Sequence, residues 1–334
     1  MFRRLLNGVL LVSLTLAGLG FREEGNKTEE MAIAEEKEPV RPAPEVIAAW
    51  EMAGAQFGWI WINHSGNLEW RSKQDRVAGA TPAFRISALP TRNPKAFPSL
   101  GIPFGVYLKG SQVTDGGLNQ LAGLKQLQML TFIETQVTDA GMKQLAGLTH
   151  LRTLNLSHTR LTDAGLKELA GLQGLQHLGL GGTKVTDAGL RYLAGLTQLR
   201  TLNLRETKLT DVGMKQLVGL RHLQSLNLSE TKVTDAGMKE LKRLTELQTL
   251  NLGLTKVSDA GLKELAGLTR LQSLTLMLTQ VTNAGLKELA EMEQLQTLDV
   301  RLTAVTEPGL NELSGLKHLR TVSFGEKKRT RTGF

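Results

Sequence analysis

From Val113 onward the apolar positions recur with a period of 24 residues. Units begin at Val113, Val137, Leu161, Val185, Leu209, Val233, Val257, Val281 and Val305, with no insertion or deletion between them. A sustained internal period takes precedence over any local signal. Each unit has two halves of different rhythm. In the unit from Leu161, Leu166 and Leu169 stand three apart with Ala170 beside them, the spacing of one face of a short helix. Thr162 or Asp163 is placed to cap that helix, and Gly171 to stop it. Leu175, Leu178 and Leu180 then form an L-x-x-L-x-L run whose end alternates apolar and polar as a strand does. One short helix and one short strand cannot bury their faces alone, so the units must stack. One half-strand and nine full ones predict a sheet roughly 45 Å across at about 4.8 Å per strand. Glycine recurs once per helical half, as Gly117, Gly141, Gly165, Gly189, Gly213, Gly237, Gly261, Gly285 and Gly309. Glycine costs a helix roughly 0.5–1 kcal/mol against alanine, so its recurrence predicts close approach between stacked turns.

The motif T-D-x-G-L-x-x-L followed by L-x-x-L-x-L resembles the leucine-rich repeat, and the resemblance covers residues 105–328. The variety is similar to that of F-box-type repeat proteins and of exported bacterial repeat proteins. The resemblance implies an α/β fold, a curved leucine-rich repeat solenoid with a parallel concave sheet and short helices on the convex side. Where that family usually has Asn or Cys after the strand, this chain has Thr135, Thr159, Thr183, Thr207, Thr231, Thr255, Thr279 and Thr303. A hydroxyl there can bond to backbone in the adjoining turn, so a hydroxyl ladder is expected in place of the asparagine one.

The flanks differ from the array. Val106 and Leu108 repeat the strand pattern, with Ser111 in the ladder position. In the last unit Pro308 stands near the helix start and Lys327 in the ladder position; Lys328, Arg329 and Arg331 follow as a charged end. Residues 45–104 predict a helix around Val46–Met52 and a hairpin joining Trp59–Ile62 to Leu68–Trp70. All four tryptophans fall between residues 50 and 70. They read as a hydrophobic lid over the first turn, with a ligand platform as the alternative. Upstream, Arg3 and Arg4 precede an apolar run from Leu5 to Leu19, shorter than the roughly twenty residues a spanning helix needs. A cleaved signal peptide is the preferred reading and an uncleaved anchor the alternative. Glutamates between 23 and 38 and prolines at 39, 42 and 44 then read as a tether. The expected organisation is a signal peptide 1–20, a disordered tether 21–44, a cap with half-repeat 45–112, nine repeats 113–328 and a tail 329–334. The expected location is outside the cytoplasm: periplasm, cell envelope or secreted.

Composition narrows the chemistry. The chain of 334 residues has no cysteine, which removes disulfides, thiol nucleophiles and thiolate metal sites. Its net charge is +8, but residues 113–328 hold 25 basic and 21 acidic side chains, a difference of only +4. That mixture argues against nucleic acid as the ligand. No catalytic or nucleotide-binding motif is present, so neither enzymatic activity nor a cofactor is expected. Of the six histidines, only His158 and His177 fall on adjoining strands, and a surface pair is preferred to a metal site. The column Asp139, Asp163, Asp187, Asp211, Asp235 and Asp259 is assigned to helix capping or to the helix dipole rather than to a cation.

Alternation places Thr153, Asn155 and Ser157 outward, and their counterparts likewise in every unit. Against that small polar background Ile133, His158, Arg205, Glu206, Glu230, Leu254, Met277, Leu278, Arg301 and Leu302 vary from unit to unit. Arg and Met are enriched at protein interfaces, and these ten are the candidate partner-binding residues, with neutral drift as the competing account. The sequence thus points to a protein-binding module that uses the concave face, with no membrane insertion beyond the N-terminal signal. The alternatives are a substrate-recognition subunit or effector of F-box-like type, a small unit at 45–104 presented by the array, and a structural envelope component.

Overall fold

The computed structural model describes residues 40–62, 68–72, 79–89, 97–109, 112–325 and 327–330. The signal peptide and residues 21–39 of the tether, the 63–67 turn, Ser111 and the final four residues lie outside the described residues.

The chain opens with helix α1 (Pro44–Met52), whose first residue is the proline tolerated at that position, so the tether boundary drawn after Pro44 runs one residue into a helix. Fourteen strands then make one sheet. β1 (Gln56–Ile62) and β2 (Leu68–Ser72) form the hairpin read from the sequence, and β1 also pairs antiparallel with β3 (Thr81–Ile86). β3 was not read as a strand: T-P-A-F-R-I shows neither clean alternation nor an unbroken apolar run. It pairs parallel with β4 (Phe104–Lys109), and parallel pairing continues through β5 (Leu127–Ile133). The array strands follow, β6 (Thr153–Asn155), β7 (His177–Gly179), β8 (Thr201–Asn203), β9 (Ser225–Asn227), β10 (Thr249–Asn251), β11 (Ser273–Thr275), β12 (Thr297–Arg301) and β13 (Thr321–Gly325). Beyond β13 the chain reverses, and β14 (Lys327–Thr330) pairs antiparallel with it. The last unit therefore ends in a returning strand that spans the expected 328/329 boundary, and Lys327 lies in that strand rather than on a turn.

The helical halves are α-helices of four to seven residues, often finished by a 3-10 turn, as in Asp187–Leu190 followed by Arg191–Leu193, except that the first and last, Asp115–Gln120 and Glu307–Leu313, are 3-10 throughout. The cap is the threonine: Ala164 N–H donates to Thr162 Oγ1 at 3.3 Å, and the same bond recurs at Thr138, Thr186, Thr210, Thr234, Ser258 and Thr282. The aspartate works between units. Thr186 N–H and Oγ1–H donate to Asp163 Oδ1 and Oδ2 at 2.8 and 2.6 Å, and this two-bond clamp joins every successive pair from Asp115–Thr138 to Asp259–Thr282. At the last junction Asn283 takes the same place, accepting from Thr306 N–H and donating to its hydroxyl. The recurrent glycine is the other half of this joint. A Cβ on Gly165 would stand 2.5 Å from Asp139 Oδ1 and 3.2 Å from Asp139 Cα.

Inside the turn Leu166, Leu169, Leu172, Leu175, Leu178, Leu180 and Val185 are 0–1% exposed; with their counterparts, which loosen toward the last unit where Val305 is 7% exposed and Phe324 half-buried, they form one continuous core. The ladder threonines are buried with them, and each bonds within its own turn; Thr183 Oγ1–H donates to the Leu180 carbonyl at 2.6 Å. The expected hydroxyl ladder is thus a series of local staples. Gly171 does not take a left-handed conformation; that geometry falls elsewhere, at the residue before the ladder threonine. At the N-terminal end Trp50 stacks on Phe84 and Phe97 at centroid distances of 4.3 and 4.4 Å and meets Phe104 edge-on. Trp50 and Trp59 are fully buried in this aromatic cluster, which closes over the apolar end of the array.

Candidate functional site

The sheet face opposite the helices carries two columns of outward side chains in register. One runs Met129, Thr153, His177, Thr201, Ser225, Thr249, Ser273, Thr297. The other runs Thr131, Asn155, Gly179, Asn203, Asn227, Asn251, Thr275, Asp299. The asparagines are turned back onto their own chain: Asn155 Oδ1 accepts from Ser157 N–H at 2.9 Å, and Asn203, Asn227 and Asn251 accept likewise from the residue two ahead. This use was legible as a repeated Asn two places before Ser, Arg or Gly, but the sequence reading treated those asparagines as free surface. A hollow of about 240 Å³ runs over the floor from Thr153 to Thr275, with Leu68 of the hairpin at its margin.

The deepest titratable group on this floor is His177. Burial, and then the neighbouring Arg200 charge, push its pKa down to about 4, so the ring is neutral at physiological pH. Its Nδ1 and the neighbouring Thr153 Oγ1 are buried without a hydrogen-bond partner. The floor is therefore neutral as well as small.

The rim is different. The residue before each ladder threonine takes the left-handed backbone conformation: Glu134, His158, Gly182, Glu206, Glu230, Leu254, Leu278 and Leu302 have φ between 55° and 67°. Six of the ten candidate residues sit at this one position of the repeat; the period places them there, but only the structure shows that its backbone is left-handed. His158 lies exposed against Gly182, whose absent Cβ makes room for its ring. Glu206 is exposed, and Glu230 is bound by Arg205 through Nη2 at 2.6 Å and Nε at 2.8 Å. Leu254, Leu278 and Leu302 are 43%, 44% and 53% exposed on three successive turns. Ile133, Met277 and Arg301 are half-buried at the outward position just before the rim. Arg301 forms a fork on Asp299, with Nη2 at 2.6 Å and Nε at 2.9 Å, and this bond raises its pKa above the ordinary arginine value. The two arginines are therefore already paired, Arg205 across turns and Arg301 within its own. All ten lie along one face and edge of the sheet, spread from β5 to β12 rather than gathered at a point.

Among the described residues, no three His, Asp or Glu side chains are grouped to hold a metal ion. The aspartate column is occupied by threonine bonds. Of the remaining tryptophans, Trp61 lies under the Arg71 guanidinium and Trp70 faces Tyr107 at 5.8 Å, both half-buried. No helix among the described residues is long and apolar enough to cross a membrane.

Comparison with known proteins gives a family match and two structural likenesses. A family model described as a leucine-rich repeat region matches residues 108–283. An internalin C2 from Listeria monocytogenes is 27% identical with a TM-score of 0.48, over 63% of this chain and 83% of that one. A second internalin from the same organism is 22% identical with a TM-score of 0.38, over 67% and 81%. No curated protein sequence matches.

Proposed function

The chain belongs to the leucine-rich repeat proteins, and from that premise we propose that it is an exported, non-enzymatic module that binds another protein on the concave face of its sheet. Proteins of this family are in general binding scaffolds, and a repeat array offers an extended surface rather than a pocket. One observation carries the reading to this face. A neutral floor of mostly small side chains, its asparagines already hydrogen-bonded to their own chain, is bordered by a rim on which three large apolar side chains stand exposed. A soluble surface has no need of three leucines in a row, whereas a protein partner does. Export to the periplasm, cell envelope or exterior rests on the basic start and short apolar run of residues 1–20.

The test is affinity capture from the envelope fraction with the full chain, beside a variant carrying Arg205→Glu, Met277→Asp and Leu278→Asp. Circular dichroism establishes that both are folded. A partner held by the parent and lost by the variant supports the concave site. Equal capture moves the site away, first to Trp70 and Tyr107. No partner in either favours a structural component of the envelope.

A further inference from the structure

Two places beyond the left-handed residue, successive turns carry Gln136, Arg160, Lys184, Lys208, Lys232, Lys256, Gln280 and Ala304. Five consecutive cations thus stand in one column, and all five are exposed. Their backbones are locked turn to turn: Lys184 N–H donates to the Leu161 carbonyl, Lys208 N–H to that of Val185, and Lys232 and Lys256 repeat the bond. Parallel bridges pair Thr186 with Lys208 and Thr234 with Lys256. Neighbouring cations are therefore one strand spacing apart, about 4.8 Å. Among the described residues none of the five has a carboxylate within ion-pair distance. Like charges side by side in a sheet oppose folding, and Gln136, Gln280 and Ala304 show that the position demands no charge. The acidic groups nearby are largely engaged. Glu230 is held by Arg205 and the aspartates by threonine hydroxyls, which leaves, among the described residues of the rim, Glu206 beside the column and Glu134 one turn before it as unpaired carboxylates.

Where the cations end, the leucines begin. Leu254 shares its turn with Lys256, and the next two turns pair Leu278 with Gln280 and Leu302 with Ala304. The left-handed backbone costs a residue with a Cβ roughly 1–2 kcal/mol, and Gly182 shows that the array accepts glycine there. Neither backbone preference nor burial explains leucine at the three positions.

We infer that the partner taken up on this face is bipartite: a protein segment with an acidic stretch laid along Arg160–Lys256 and apolar side chains set on Leu254, Leu278 and Leu302. This rests on the concave-face reading and specifies the partner's chemistry. The basic column alone would suit any linear polyanion. The adjoining apolar end singles out a polypeptide, because nucleic acids and acidic polysaccharides are polar along their whole length. The cations and leucines also follow one another along the rim instead of mingling, which suits a segment with two ends better than a lipid surface.

The test uses the full chain and labelled synthetic peptides read by fluorescence anisotropy. The peptides are an acidic run joined to a leucine- and phenylalanine-bearing run in both orders, and each run alone. One composite should bind about tenfold or more tighter than either half. Raising salt from about 0.05 to 0.5 M should weaken the acidic run far more than the apolar one, since exposed charges are screened. Lys184→Glu, Lys208→Glu and Lys232→Glu together should abolish the acidic gain alone, and Leu254→Asp, Leu278→Asp and Leu302→Asp together the apolar gain alone. All six sites are on the surface, and circular dichroism checks the fold. Failure of both composites to outbind their halves overturns the inference. So does salt-insensitive binding, or equal binding of anionic lipid vesicles by parent and both variants. If the envelope capture yields a partner that the concave variant loses but neither rim variant affects, the concave reading stands and the bipartite rim falls.

Discussion

The joint between units makes a sharp prediction at Asp187. Its carboxylate accepts from Thr210 N–H at 2.8 Å and from the Thr210 hydroxyl at 2.6 Å, while the same hydroxyl accepts from Val212 N–H. Hydrogen bonds to a charged group contribute about 1.5–3 kcal/mol each, and the half-exposed position of Asp187 puts each at the lower end. Asp187→Ala should therefore destabilise the array by about 2–3 kcal/mol. Asp187→Asn should cost about 1 kcal/mol or less, because Asn283 already makes both bonds to Thr306 at 2.9 and 2.8 Å. Gly213 lies beneath the same carboxylate, and an added Cβ would overlap Asp187 Oδ1 and stand 3.1 Å from Asp187 Cα. Gly213→Ala should then cost about 1–3 kcal/mol through overpacking. The double variant Asp187→Ala/Gly213→Ala should fall short of the sum by about 1 kcal/mol, since one change removes what the other strikes. Urea unfolding followed by circular dichroism gives the energies. Exchange of the Thr210 amide locates them, which matters because stacked units can open locally. The reasoning is refuted if Asp187→Asn is as damaging as Asp187→Ala, or if Asp187→Ala stays within about 0.5 kcal/mol of the parent.

Three further outcomes follow from the geometry. His177 has a folded pKa of about 4 against an ordinary 6.5, so the unfolded chain takes up the proton first. Its contribution is complete above pH 6.5 and is lost as pH falls from there to 4; His177→Gln should flatten the pH dependence of unfolding in that window, and an unchanged slope refutes the assignment. Thr207→Val removes the buried hydroxyl that donates to the Leu204 carbonyl at 2.7 Å and should lower stability by about 1 kcal/mol, checked by the urea midpoint at constant slope. Leu302→Asn trades a 53% exposed apolar side chain at φ 56° for a residue suited to that backbone, and stability should hold within about 1 kcal/mol of the parent. A loss beyond about 2 kcal/mol would show that Leu302 belongs to the core instead of the rim.

The array was legible because its signals repeat: one apolar layer, one capping threonine and one glycine per turn, copied until no alternative pattern survived. What the copies could not convey was which polar group answers which. Asp163 had two local tasks open to it as a helix-terminal carboxylate, and only the stacked turns show that it serves the threonine 23 residues ahead. The rim escaped for a related reason. Leu254, Leu278 and Leu302 stood out as variable, but nothing in the L-x-x-L-x-L rhythm marks the residue two places beyond it as left-handed when glycine fills it only once among the eight, at Gly182. The cation column was averaged away by regional charge counting, since its five members lie 24 residues apart and are neighbours only after folding. The flanks were read less completely. β3 and β14 are single strands without a repeat to reinforce them, and each owes its pairing to an edge that only the finished sheet provides.

Because the clamp, the glycine and the staple are the same at nearly every junction, any interior turn can follow any other without a new interface. A gain or loss of one whole 24-residue segment would leave both cut ends chemically matched. Such an event would move the leucines relative to the aromatic end by one strand width and change nothing else. The distance along the rim from the aromatic end to the leucines is thus a property of this chain that can change in single increments. A change that is not a whole multiple of 24 residues would put the clamp aspartate and its threonine out of register and be eliminated at the folding step.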